Sequence, residues 1–134
     1  MNKREPNGLL WKTGVALAIA GLSLFMIFPL LLIAGPFPIL RGGEISGYLL
    51  ATAGCGIFAW GALLLTSSSS PSTASLALPT ALGFALLAAM RFIAAFFSQE
   101  LYEWVGYVTF AEALAFSAVA VVFARQWSAT RGDR

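Results

Sequence analysis

Four stretches of about 20 residues, each with at most one charge, make up most of this 134-residue chain, and they constrain its fold more than any other feature. A helix needs about 20 apolar residues to cross the hydrocarbon core of a bilayer, where no water is present to satisfy backbone polar groups. The spans are read at residues 13–34, 45–65, 76–97 and 105–124, with short polar tails at 1–12 and 125–134. This predicts an all-α chain: an integral membrane, antiparallel four-transmembrane-helix bundle forming one domain over 1–134. Only 10% of residues are charged, against roughly a quarter in a soluble domain, so no separate soluble catalytic domain is expected.

The first span runs 22 residues without charge and ends in Ile33-Ala34-Gly35-Pro36. A secretory signal peptide has a shorter apolar core and a small-x-small cleavage site, so retention as a helix is expected. Pro29 removes one backbone donor near its end and is expected to bend it. Residues 35–44, GPFPILRGGE, cannot continue a helix and form a structured turn. In the second span Gly47, Ala51, Cys55 and Ala59 recur every four positions, a stripe that lets a partner backbone approach closely, although small residues are also simply common in such helices. Residues 66–75, TSSSSPSTAS, form a hydroxyl-rich linker with no assigned chemistry. The third span has Pro79 in its first turn, where a missing donor costs little. Residues 98–104 form a short turn into the fourth span.

Histidine is absent and Cys55 is the single cysteine, which removes His-ligated haem, His-based metal sites, His general bases and disulfides. No metal and no cofactor is expected, and the chain is read as not an enzyme. Cys55 itself reads as a packing residue. Of the seven Lys and Arg outside the spans, six lie in the tails and only Arg41 in the opposite connections, so both tails are expected to be cytoplasmic. Tyr48, Tyr102, Trp104 and Tyr107 then fall at the outer interface, with Trp11 and Trp127 at the inner one and Trp60 near the inner end of its span, where belt or packing roles suffice. The net charge of +2 arises mainly from the tails and offers nothing for nucleic acid.

Arg91 and Glu112 are the only ionisable residues well inside the spans, and either would be costly facing lipid. Counted from the turn at 1.5 Å per residue, they lie at depths of roughly 10 and 12 Å, which sets them side by side on antiparallel neighbours. The Arg91 face carries Phe84, Ala88, Ala95 and Ser98; around Glu112 lie Thr109, Ala115 and Phe116, and the Thr109 hydroxyl is placed to donate to the carboxylate. One reading is a buried ion pair that fixes helix register. The other is a binding site, because the five donors of a guanidinium exceed what one carboxylate accepts. A cavity at this site would open to the outer leaflet, with Arg41, Glu44, Glu100 and Glu103 as its polar rim and Pro36 and Pro38 shaping a covering loop; Glu100 and Glu103 also read simply as a solvated loop end.

The segments GFALLAAMRFIAAF and TFAEALAFSAVAVVFAR place one Arg and one Glu on successive helices, and over residues 46–125 the chain resembles the small four-helix DoxX-like membrane proteins of bacteria, in the branch of unknown function. The resemblance implies an antiparallel bundle in the bacterial inner membrane with no established reaction. DoxX itself is similar to a subunit associated with quinol oxidation, and without histidine this chain carries no such haem chemistry alone. Small multidrug-resistance transporters also have four spans and one intramembrane glutamate, but theirs is in the first helix, and here the glutamate faces an arginine. Two functions are therefore carried forward: a structural or accessory bundle in the bilayer, as a homo-oligomer or in a larger membrane complex, or a binding or transport protein for a lipophilic or anionic small molecule held near Arg91.

Overall fold

The computed structural model describes residues 8–35, 43–69 and 76–132. Four helices account for nearly all of them: α1 (Gly8–Ala34), α2 (Gly43–Ser69), α3 (Ala77–Phe97) and α4 (Gln99–Gly132). Each contains a segment long and apolar enough to cross a membrane, that of α4 being Gly106–Thr130. The fold is an all-α four-helix bundle.

Glycine decides how α1 meets α2. Gly14 and Gly21 on α1 face Gly61 and Gly54 on α2, in an antiparallel register with seven residues between successive contacts on each helix. A β-carbon on Gly21 would stand 2.6 Å from the Gly54 carbonyl oxygen, and one on Gly54 would stand 2.6 Å from the Gly21 oxygen. The backbones therefore touch with no side chain between them, which maximises dispersion contact where lipid supplies no hydrophobic driving force. A repeat of seven keeps one face against its partner over several turns. The four-residue stripe of the second span is thus only partly the contact. Gly47, Ala51 and Cys55 are buried, but the closest approach uses Gly54 and Gly61 on the adjoining face.

Phe25 and Phe28 of α1, Ala51 and Cys55 of α2, Met90 and Ala94 of α3 and Leu101 of α4 form the apolar core in the half of the molecule nearest Ser98. Antiparallel pairing continues through α3 and α4, with Phe84 against Phe116 and Phe92 against Phe110, and α2 joins the two hairpins by packing on α3, where Gly83 admits Ala59. Among the described residues α1 and α4 make no approach, so the bundle is open on that side. Large apolar side chains such as Ile33, Leu49, Phe97 and Val122 point outward, as expected where the solvent is hydrocarbon.

Helix ends follow local chemistry. Gly35 at φ 83° terminates α1, its N–H donating to the Leu31 carbonyl at 3.0 Å. The turn expected over 98–104 contracts to a single residue. Ser98 donates its N–H to Ala94 at 3.2 Å to close α3, and its Oγ accepts the Leu101 N–H at 3.2 Å as the N-cap of α4. Residues 99–104 are helical because this one serine satisfies both ends. The chain breaks instead at Gly106, whose φ of 45° and ψ of −127° interrupt α4.

A backbone at that position admits glycine and little else. Gly106→Ala is expected to lower stability by about 1 to 3 kcal/mol through backbone strain alone, since nothing stands within 4 Å of a β-carbon there. Gly56→Ala, at an equally open site on a regular helix, should be neutral or slightly stabilising. Thermal unfolding of the two variants in detergent checks the contrast; equal effects would contradict a backbone origin.

Candidate functional site

Arg91 sits on α3 seven residues before Ser98, flanked by α2 on one side and α4 on the other. Its Nε lies 2.8 Å from Oε2 of Glu112, so the predicted ion pair is present. It is not buried as a pair: the Arg91 side chain is 15% exposed and that of Glu112 is 42% exposed. The reason is the open architecture. α2 covers α3 but touches α4 only sparsely, leaving the edge of α4 that carries Glu112 uncovered.

The pair is also imperfect in its geometry. Although Nε is close to the carboxylate, its N–H is not aligned with the oxygen, and this buried nitrogen has no hydrogen-bond partner. Nη1 and Nη2 donate to no described residue, and the second oxygen of Glu112 accepts from none. Aromatic rings contact the guanidinium instead. Its central carbon lies 4.8 Å from the Tyr48 ring centroid and 5.9 Å from that of Phe116, within cation–π range.

The Tyr48 ring thus faces the neighbouring helices. It turns inward, packing edge-on against Phe28 at 5.5 Å. Phe116 is held by Phe84 at 5.7 Å. The sequence signal for Tyr48 was present in its four-residue step from Glu44, which points both side chains toward α3.

Thr109 is buried at 3% exposure, yet no hydrogen bond joins it to Glu112. The carboxylate pairs with Arg91 on α3 instead. Among the expected rim residues, Glu44 takes a different role: Ser98 Oγ donates a short hydrogen bond to Glu44 Oε2. That tie joins the first turn of α2 to the α3–α4 joint, one helical turn from Tyr48 along α2 and seven residues from Arg91 along α3. Glu100 and Glu103 are exposed in the first turns of α4, and Arg41, Pro36 and Pro38 lie outside the described residues.

Two apolar clefts of about 240 and 340 Å³ lie elsewhere, on either side of the exposed Trp60. One is lined by Leu63, Pro79 and Thr80 between α2 and α3, the other by Leu17 and Ile57 between α1 and α2. They carry no charged side chain. Among the described residues no group of three or more histidine, cysteine or acidic side chains is arranged to hold a metal ion.

What the site can do chemically is limited and specific. It offers the N–H donors of Nη1 and Nη2, a carboxylate oxygen that accepts from no described residue and two ring faces within the apolar spans. The chain matches no protein-family model, no curated protein and no solved structure.

Proposed function

We propose that this is a non-enzymatic membrane protein that holds a lipophilic small molecule at Arg91, reached sideways from the bilayer between α2 and α4. The observation that carries the reading is the guanidinium itself: Nη1 and Nη2 donate to no described residue although the residue lies within an apolar span. Unpaired donors at such depth are costly, and a ligand that accepts from them removes the cost. The test is extraction of the purified protein followed by mass spectrometry. Wild type should carry a lipophilic molecule in near-stoichiometric amount, and Arg91→Lys should lose it while retaining its helix content and size, because lysine keeps the charge but not the planar fork. Equal recovery from both would contradict the reading.

A structural or accessory role is the second reading, favoured by one observation: among the described residues α1 and α4 do not meet, so each leaves an apolar face on which a second copy or another membrane subunit can pack. The resemblance to DoxX-like proteins belongs with both readings, as does the assignment to the bacterial inner membrane with both termini in the cytoplasm, which rests on the distribution of Lys and Arg. With Cys55 replaced, single cysteines at Ser69 and Gln99 should react with a membrane-impermeant thiol reagent from opposite sides of intact cells. Outside labelling at Ser69 would reverse the orientation.

A further inference from the structure

We infer that the Arg91 site selects an uncharged head group, one that accepts a hydrogen bond from Nη1 or Nη2 and returns one to the free oxygen of Glu112, carried on an apolar chain; this rests on the binding reading above and names its ligand class. Charge is the first argument. Arg91 and Glu112 lie 2.8 Å apart and their charges cancel, and Glu44, one turn from Tyr48 on α2 and bonded to Ser98, adds negative charge on the same side. An anion drawn to the guanidinium fork would stand beside the Glu112 carboxylate, at a depth where screening is weak and like charges repel strongly. A cation drawn to Glu112 meets the same opposition from Arg91.

Hydrogen-bonding capacity is the second argument. The open groups form a complementary pair: donors on Nη1 and Nη2, and an acceptor on Glu112. An acceptor-only head leaves the carboxylate oxygen bare, and a donor-only head leaves the guanidinium bare. A head that does both satisfies both, and a primary amide is its simplest form. Access is the third. The Ser98–Glu44 hydrogen bond ties α2 to the α3–α4 joint at that end of the helices, whereas the half-exposed Glu112 lies on the lateral edge of α4. A ligand arriving from the side comes through acyl chains, which requires a low charge and an apolar tail.

Two probes with the same chain separate the possibilities: dodecanamide and dodecyl phosphate, titrated into full-length protein in phosphatidylcholine nanodiscs. The readout is the Nε–H resonance of Arg91 in protein labelled with nitrogen-15 arginine, identified by its absence in Arg91→Lys. In wild type dodecanamide should shift this resonance saturably, and dodecyl phosphate should require at least about tenfold more. Glu112→Gln removes the counter-charge that lies 2.8 Å from Arg91 and should reverse the order. Tighter binding of the phosphate to wild type would overturn the uncharged-head inference and leave Arg91 as a ligand site. An unchanged order in Glu112→Gln would overturn the role of Glu112 in setting the preference. No shift with either probe, in either protein, would overturn the binding reading itself. Should Glu112→Gln fail to fold, the wild-type order of the two probes alone upholds or overturns the uncharged-head inference.

Discussion

Gly54→Leu should break the α1–α2 hairpin, with a loss of at least about 3 kcal/mol and a chain that no longer purifies as a compact species. The expectation rests on what the new side chain meets. At Gly54 a β-carbon would lie 2.6 Å from the Gly21 carbonyl oxygen and 2.7 Å from the Phe25 nitrogen, both backbone atoms of the facing helix. Backbone cannot swing aside as the end of a side chain can, so the helices must separate and the contacts along the whole seam weaken together. Gly61→Leu should behave similarly, being 2.5 Å from the Ala18 nitrogen. Gly56→Leu, two positions from Gly54 but facing open space, should be tolerated. Size-exclusion profiles and thermal unfolding in detergent distinguish the three, and a Gly54→Leu protein of wild-type stability would contradict the seam.

The second large effect concerns the ion pair. Glu112→Ala should destabilise the protein by about 1 to 3 kcal/mol, because it strands an Arg91 side chain that is 15% exposed and keeps its contacts with the Tyr48 and Phe116 rings. Arg91→Ala should cost less, because the carboxylate it leaves behind is 42% exposed and able to turn away. Replacing both by leucine should recover most of the loss, since no unpaired charge remains and the space lies beside Tyr48, Phe84 and Phe116. A coupling energy of about 0.5 to 3 kcal/mol is expected from the double-mutant cycle. Strictly additive losses would mean that the two residues have separate partners.

Hydropathy alone located the four helices, because a span must satisfy its own backbone in lipid and the sequence offers only four ways to do so. Depth counting placed Arg91 against Glu112 for the same reason: two charges in an apolar segment have no inexpensive alternative to each other. Other features were less legible. The seam glycines recur every seven residues, and a search at four-residue spacing finds Gly47 and Cys55 but passes over Gly54 and Gly61. Tyr48 near a helix end suits an interfacial belt as well as an inward site, and only the approach of α3 decides between them. The Ser98–Glu44 tie joins residues 54 apart in sequence, with no local pattern to announce it. Four apolar helices suggest a closed bundle and a buried pair, whereas among the described residues α1 and α4 do not meet and Glu112 stays half-exposed.

The central claim is that a membrane-dissolved molecule occupies the space beside the guanidinium, and photo-crosslinking inside cells tests it most directly. A benzophenone amino acid at Phe116, 5.9 Å from the Arg91 guanidinium by its ring centroid, samples the site, and the same group at the outward-facing Leu114 samples bulk lipid. Intact-mass spectrometry after illumination should reveal one dominant small-molecule adduct at position 116 that is absent at position 114 and lost in Arg91→Lys. Identical mixtures of ordinary phospholipid adducts at both positions, unaffected by Arg91→Lys, would contradict the account.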